Sequence, residues 1–321
     1  MLLFNSISIS VPPISTIRSI PSNSPRFGRR YHHLQRLPRA FAWNPLPVVR
    51  KNKKSFTCSA STSADEGNVE VEYQVLTAVN TVYNDIVIVD TAESRILLLD
   101  STHNIHSIFM KEQTWTDSYW DEFATLPAII PKGPIAMFGL GGGTAAHLML
   151  TLWPSLEIHG WEIDETVINI SREHLGLSDL EKPNEDGGVV HVHIDDALST
   201  SCNISGGFAG IVIDLFSGGE VLSQLQEVDT WLEIGKKLMP NGRVMVNCGG
   251  SIGDEVWENN STISAMCKAF PGQVNWKKLP KCDGDNYLAF TGPLPDLSTW
   301  GAGLPDKLSS NVHKWMSCFP S

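Results

Sequence analysis

The chain has 321 residues, 42% of them hydrophobic and 18% charged, which is enough apolar material for one large or two small folded domains. Prolines interrupt the longest apolar stretch, residues 126–140, so no segment supplies the roughly 20 continuous apolar residues of a membrane-spanning helix. Residues 1–64 hold ten of the 24 Lys and Arg residues and no acid, which leaves 14 basic against 35 acidic residues in the remainder. Residues 65–321 therefore have a formal charge of about −21, which repels nucleic acid and is compatible with cationic ligands.

The N-terminal segment is basic, free of acidic residues and rich in Ser and Pro. This composition is typical of chloroplast and mitochondrial import signals. We therefore predict that residues 1–64 are a disordered transit peptide, that processing occurs near residues 56–60, and that the mature protein resides in the plastid stroma. The alternative interpretation is a basic arm that binds nucleic acid.

A small β-hairpin domain is predicted over residues 65–115. Two runs rich in β-branched and aliphatic residues, 82–89 and 95–100, are separated by a short turn, which is the pattern of a hairpin. A helix-like stretch follows at roughly 116–128.

From residue 133 onward the pattern alternates between strands and helices. This alternation predicts βαβ units and an open, mostly parallel sheet with helices on both faces, within a domain that spans residues 116–293. The tail, residues 294–321, is rich in Pro and Gly and is predicted to be irregular. The predicted strands are 134–140, 156–162, 189–194, 210–215 and 243–247, the predicted helices are 143–152, 165–175, 196–202, 220–238 and 254–269, and a closing hairpin is predicted at 274–279 and 287–291.

A glycine-rich turn follows the first predicted strand, where a helix begins. Glycines allow a tight turn and a close approach to a ligand, and the helix N-terminus offers free N–H groups. Glu162 ends the next strand, about twenty residues later, where a carboxylate accepts hydrogen bonds from both ribose hydroxyls. The turn contains Gly139, Gly141, Gly142 and Gly143.

Acidic residues also end the third and fourth predicted strands. Asp196 is placed to reach an adenine amino group, with capping of the following helix as the alternative interpretation. Asp214 ends the fourth strand beside the mouth of the first, where open α/β sheets bind ligands. Residues 139–144 miss the last position of the dinucleotide fingerprint, whereas residues 141–146 satisfy it. Because a second mononucleotide-binding half is not apparent in the sequence, NAD is the weaker interpretation.

These motifs resemble those of the spermidine synthase (aminopropyltransferase) family over roughly residues 80–250. The resemblance implies a small β domain before a methyltransferase-like, Rossmann-like domain with a seven-stranded, mostly parallel sheet, and it suggests a homodimer. The matching segments are Y-N-D-I at 83–86, L-L-L-D at 97–100, S-Y-W-D at 118–121, G-G-G-T-A-A at 141–146, E-I-D at 162–164 and the aspartate at 214.

The resemblance also implies roles for individual residues. In that family an amine attacks the aminopropyl carbon of decarboxylated S-adenosylmethionine, which is a co-substrate. By resemblance, Asp214 is the base, Tyr119 assists it, Glu162 holds the ribose and Asp196 holds the adenine. The partner is then a small-molecule amine or another nucleophile.

Several positions depart from the family pattern. Thr144 replaces the acid of the glycine loop that pairs with the ligand's ammonium, and Asn84 and Asn104 replace two ligand-facing glutamines. The resemblance implies that all three face the co-substrate. Trp120 replaces the glutamine after the tyrosine, and Ser217 replaces a second acid. Altered amine specificity is therefore expected. A methyltransferase that uses intact S-adenosylmethionine and a non-catalytic nucleoside-binding relative are the alternatives.

The sequence predicts no metal site. Its six cysteines contain no Cys-x-x-Cys pair, which is typical of reduced intracellular thiols. His191 and His193 share one face of a predicted strand, and we interpret them as part of that face rather than as metal ligands.

Overall fold

A computed structural model describes residues 54–58, 69–102, 104–250, 257–279 and 286–318. The predicted transit peptide lies outside the described residues except at its end. There, Lys54–Cys58 form strand β1, which pairs antiparallel with the next strand. These five residues were predicted to be disordered, and their backbone instead extends a sheet.

The N-terminal part is a five-stranded antiparallel sheet, larger than the predicted hairpin. Ile86 and Ile88 pack on one face against Val167 and Leu175, while the alternating residues face the main core. Burial on both faces explains the uninterrupted apolar runs at residues 86–89 of β3 and 96–98 of β4. The strands, in spatial order, are β1, β2 (Val69–Asn80), β3 (Asp85–Thr91), β4 (Ser94–Leu98) and β5 (Ser107–Met110).

The second part is an eight-stranded sheet with helices on its faces. Its spatial order is β15-β13-β14-β12-β9-β6-β7-β8. The last five strands in this order, from β12 through β9, β6 and β7 to β8, are parallel to one another. The strands are β6 (Ile135–Phe138), β7 (Glu157–Glu162), β8 (Val189–Ile194), β9 (Phe208–Ile213), β12 (Leu238–Asn247), β13 (Val274–Leu279), β14 (Asn286–Thr291) and β15 (Met316–Ser317), and β10 (Phe216–Ser217) and β11 (Glu220–Val221) form a separate small hairpin.

Helices connect these strands and cover both faces of the sheet. β6 lies between β7 and β9, so the chain leaves β6 in one direction and later returns on its other side. This is the switch point where ligands bind in open α/β sheets. The helices are α1 (Tyr119–Phe123), α2 (Thr144–Leu152), α3 (Glu165–His174), α4 (Leu177–Leu180), α5 (Val228–Lys236), α6 (Ser261–Ala269), α7 (Leu297–Ala302) and α8 (Asp306–Val312), with 3₁₀ turns at Leu126–Ile129, Ser223–Gln226 and Trp257–Asn259.

Four predicted helices differ in the structure. The one predicted at 254–269 is a 3₁₀ turn at Trp257–Asn259 followed by α6, and its first residues lie outside the described part of the chain. The helix predicted at 116–128 is the short α1 followed by a 3₁₀ turn whose first residues include Pro127, which cannot donate a backbone hydrogen bond. Residues 196–202 form turns, because the side chains of Asp195 and Asp196 accept local hydrogen bonds. The helix predicted at 220–238 is divided into β11, a 3₁₀ turn and α5.

The prediction of an irregular tail was wrong. Asp296 caps α7 by accepting a hydrogen bond of 2.7 Å from the Thr299 amide, and α8 follows. Trp300 and Trp315 are buried against Phe290 of the main sheet. β15 then pairs with β13, which gives the sheet eight strands where seven were predicted.

None of the helices in the described part of the chain has the length and apolar character needed to cross a lipid bilayer.

Candidate functional site

The glycine-rich turn connects β6 to α2 at the centre of the switch point. Gly139 has a φ of +84°, and a Cβ there would lie 2.3 Å from the carbonyl oxygen of Asp214. Gly143 caps α2 with a φ of +82°. Only glycine combines these dihedral angles with this close approach, so the turn brings the end of β6 directly against the end of β9.

The Gly141 amide donates a hydrogen bond of 3.1 Å to Glu162 Oε2, at the end of β7. The other carboxylate oxygen of Glu162 accepts from the Asp164 amide at 3.1 Å. Burial raises the pKa of Glu162 above its usual range, and the hydrogen bonds from Asp164 and Gly141 oppose that rise. These backbone donors orient the carboxylate, whose two oxygens together have about four acceptor sites, so that it can still accept from a ligand hydroxyl.

The N-terminal sheet holds the glycine turn in place. Gly142 donates to Ser107 Oγ at 2.8 Å. The Thr144 hydroxyl donates to the carbonyl of Ile108 at 3.1 Å and accepts from the amide of the same residue at 2.9 Å. Thr144 is 5% exposed, and its hydroxyl acts as a strand partner for the edge of β5. This placement argues against the expectation that Thr144 faces a ligand.

Asn84 also joins the two sheets. Its amide nitrogen donates to Asp164 Oδ2 at 2.8 Å, and Thr81 Oγ1 donates to the same oxygen at 2.6 Å. The other oxygen of Asp164 caps α3 through the Thr166 amide at 2.9 Å. The donor groups of Asn84 are therefore directed, at least in part, to the protein rather than to a ligand.

Asp214 is the centre of the second polar cluster. One carboxylate oxygen accepts from the Tyr119 hydroxyl at 2.9 Å and from the Trp120 indole at 3.1 Å, and the other accepts from Asn247 at 2.9 Å. Burial raises the pKa of Asp214, while the donors, Asn247 first, lower it. The Tyr119 pKa is raised well above its usual value, by burial first and then by the Asp214 charge. The tyrosine is therefore a donor to a carboxylate.

Two side chains that the motifs did not indicate complete this cluster. Asn286, at the start of β14, donates to Asn247 Oδ1 at 3.0 Å, which directs the amide nitrogen of Asn247 toward Asp214. His106 lies between the Leu99 amide, which donates to its Nδ1 at 3.3 Å, and Asp100, with 3.3 Å between Nε2 and Oδ2. Asn247 was not predicted as a site residue either. Its position at the end of a strand is the one sequence signal that could have indicated Asn247.

The remaining predicted residues lie at the edges of the site. Asn104 is exposed and lies next to Gly219 in the β10–β11 turn. Its amide nitrogen is 3.5 Å from the place that a Cβ would occupy if Gly219 had one. Asp196 is exposed and accepts a hydrogen bond of 2.9 Å from the Leu198 amide. It therefore stabilises a turn, which is close to the helix-capping role that the sequence allowed as an alternative. The neighbouring Asp195 amide donates a hydrogen bond of 3.2 Å to the Glu162 carbonyl.

A comparison with curated proteins finds a relative that matches part of the chain. A 200-residue region is 22% identical to a probable polyamine aminopropyl transferase of Bifidobacterium longum, covering 58% of this chain and 43% of that protein. The matched region therefore spans less than half the length of that relative. No family model matches the chain.

Solved structures share the architecture described above. A probable spermidine synthase from Corynebacterium glutamicum matches with a TM-score of 0.54 at 18% identity, over 67% of this chain and 79% of that one. The chain has the spermidine synthase fold. Spermidine synthase from Thermotoga maritima gives a TM-score of 0.53 at 16% identity over 70% and 76% of the two chains. A spermidine synthase in complex with the transition state analogue AdoDATO gives 0.52 at 17% over 70% and 75%.

Within the spermidine synthase fold, the predicted residues other than Asn104 and Asp196 fall into two groups. The glycine turn, Glu162 and Asp214 lie at the carboxyl ends of β6, β7 and β9, where the sequence predicted them, and Tyr119 of α1 donates to Asp214. Thr144 and Asn84 instead use their polar groups to hold the N-terminal sheet against the larger one.

Proposed function

We propose that the protein is a spermidine-synthase-like transferase that binds a nucleoside-sulfonium co-substrate, decarboxylated S-adenosylmethionine. The observation that carries the proposal is the Asp214 carboxylate, which is held by donors from Tyr119, Trp120 and Asn247 beside the glycine turn. The similarity to a probable polyamine aminopropyl transferase supports the same class of reaction.

The proposed reaction is an in-line displacement at a sulfonium carbon. The amine nitrogen bonds to the aminopropyl carbon as the carbon–sulfur bond breaks, and the electron pair of that bond returns to sulfur. The proton leaves the nitrogen for the Asp214 carboxylate. Burial favours this transfer because it raises the pKa of Asp214 above that of a solvated carboxylate.

The nucleoside is proposed to lie on the other side of the glycine turn, with its ribose on Glu162. The turn contacts both acids, because Gly139 lies against the Asp214 backbone and Gly141 bonds to Glu162. The transferring carbon is thereby placed between a ribose acceptor and a base.

The proposed acceptor is an amine other than the usual polyamines. Trp120 is buried and its indole donates to Asp214, so a bulky aromatic ring stands next to the base. This ring replaces a smaller polar side chain of the family and limits the space for an extended dicationic substrate.

Turnover and binding are tested together with Asp214→Asn, which removes the base while preserving the shape of the side chain. General-base catalysis contributes ~10²- to 10⁴-fold, so we expect a loss of turnover in that range with ligand affinity largely retained. Asp229→Asn, an exposed carboxylate on α5, is the matched control. Putrescine and a panel of other amines are screened as acceptors with both proteins.

Binding is measured separately by calorimetry with methylthioadenosine and with the intact and decarboxylated sulfonium compounds. Glu162→Gln should weaken nucleoside binding about ten- to a hundredfold, because ribose hydroxyls lose an ionised acceptor. Glu165→Gln, three residues away and exposed, is the control. Binding without amine turnover would favour a methyltransferase or a non-catalytic relative, and no binding of any ligand would refute the proposal.

We also propose that the protein acts in the plastid stroma and that it forms a homodimer. The first rests on the acid-free basic leader of residues 1–64, and the second on the family resemblance alone.

A further inference from the structure

Three ligand-type side chains converge on the sheet face at the start of β7 and the middle of β8. Glu157 Oε1 lies 3.1 Å from His159 Nε2 and 3.6 Å from His191 Nε2. His159 and His191 are direct cross-strand partners, and Glu157 is two residues before His159, so the strand alternation places all three on one face. One ligand atom from each lies within 4.8 Å of the other two.

The cluster is open to solvent. The connection from β8 to β9 is a loop rather than the predicted helix, and the exposed fractions of the side chains are 53% for Glu157, 47% for His191 and 14% for His159. An ion can therefore reach the three side chains without rearrangement of the core.

The ring of His159 is held in a fixed orientation. His193 Nε2 lies 3.0 Å from His159 Nδ1, so this contact occupies the ring nitrogen that faces away from Glu157. His193 is itself stacked on Trp161, with ring centroids 4.4 Å apart. Such a partner on the distal nitrogen orients metal-binding histidines and leaves the other nitrogen for the ion.

We propose that Glu157, His159 and His191 form a binding site for a zinc-type divalent transition metal. In tetrahedral zinc sites the metal–ligand distances of ~2.0–2.2 Å separate neighbouring ligand atoms by about 3.4 Å, close to the two carboxylate–imidazole distances seen here. Two imidazoles and one carboxylate suit zinc and its neighbours rather than magnesium or calcium. The fourth position is left for water.

The site is separate from the proposed nucleoside site. Glu157 begins β7 and Glu162 ends it, which at about 3.3 Å per residue places them roughly 16 Å apart. A metal bound there would join the edge strand β8 to β7. The proposed ion is therefore a stabilising element of the sheet, and the Asp214 chemistry does not use it.

The test is zinc titration of the untagged full-length chain against a chromophoric competitor, with Glu157→Gln and His191→Ala as variants. We expect one zinc per wild-type chain and at least a tenfold loss of affinity in each variant. His313→Ala removes an exposed histidine at the end of α8 and should leave affinity unchanged. Equal affinity in wild type and both variants, or no uptake by the wild type, would overturn the proposal.

A second measurement identifies the ligands and is insensitive to catalysis. Cobalt(II) bound by the wild type should give the visible d–d absorption of a four-coordinate site, and His191→Ala should lose it. Zinc should also raise the unfolding temperature of the wild type, because it binds the folded state, and not that of His191→Ala. An octahedral cobalt spectrum, or an equal rise in both proteins, would contradict the assignment.

Discussion

At the scale of single residues, the environment of Asp214 shows how one carboxylate is adjusted by opposing effects. Burial raises its pKa, and hydrogen bonds from Asn247, Tyr119 and Trp120 lower it. The carboxylate therefore has a higher proton affinity than an exposed aspartate while three donors still favour its ionised form. The residue-scale prediction follows from removing one of these donors.

Asn247→Ala should move the acidic limb of the pH–rate profile to higher pH. The proposed base must be ionised to act, so turnover should rise with pH through the Asp214 pKa, and loss of the largest opposing donor should raise that pKa further. Steady-state rates across the acid range provide the measurement. Asn203→Ala, an exposed asparagine, serves as the control. An unchanged profile would mean that Asp214 is not the group that limits the reaction at low pH.

At the scale of elements, the two sheets are joined by polar contacts from residues that the motifs had indicated as ligand contacts. Thr144 lies in a glycine-loop position that suggests a ligand contact, and its hydroxyl instead pairs with both backbone groups of Ile108. A hydroxyl can do this because it donates and accepts, whereas an ionised carboxylate only accepts.

Thr144→Val should lower the free energy of unfolding by about 1–3 kcal/mol, because two buried backbone groups lose their partner. Thr144→Ser should be nearly neutral. Thr144→Asp should destabilise as well, and we expect it to produce no preference for the decarboxylated ligand, which would have followed if position 144 faced that ligand. Urea unfolding and ligand titration of the three variants decide between these roles.

A buried ion pair connects α1 to the main sheet. Lys277 Nζ lies 2.7 Å from Glu122 Oε2, and the side chains are 0% and 4% exposed. Glu122→Gln or Lys277→Met alone should cost ~3–5 kcal/mol, because each leaves a buried charge unpaired.

The double variant with Glu122→Gln and Lys277→Met should recover part of this loss. Because α1 also carries Tyr119, the single variants should lower turnover as well as stability. Additive losses in denaturant unfolding would show that the two side chains do not act as a pair.

At the scale of the whole molecule, residues 1–64 are basic while the remainder of the chain is acidic, and β1 lies near the junction between them. Lys54–Cys58 pair with β2, yet they overlap the predicted processing region at 56–60. Without β1 the sheet still has four strands, because β2 pairs with β3, β3 with β4 and β4 with β5.

N-terminal sequencing of the protein from isolated plastids should therefore find that residues 1 to about 60 are missing. Import signals are removed after entry, and the basic, acid-free composition ends at about this point. The same protein in the cytosol, or an intact Met1 in the organelle, would contradict both the processing and the proposed location.

Much of this molecule is determined by local sequence pattern. The alternation of strands and helices, the glycine turn and the acids at strand ends predict an open parallel sheet, because the carboxyl ends of such strands meet at one edge. The positions of Glu162 and Asp214 at strand ends were predicted in this way. The tail was not, since its order comes from burial of Trp300 and Trp315 against Phe290, which is distant in sequence.

The tertiary structure alone decided which side chains meet across elements. Asn286 supports Asn247 from an antiparallel strand, and Thr144 pairs with a strand of the other sheet, although neither relation leaves a local pattern. His191 was visible in the sequence as part of a strand face. Its cross-strand partner His159 depends on pairing and register, and register is determined by the packing of the whole sheet, which no local pattern encodes.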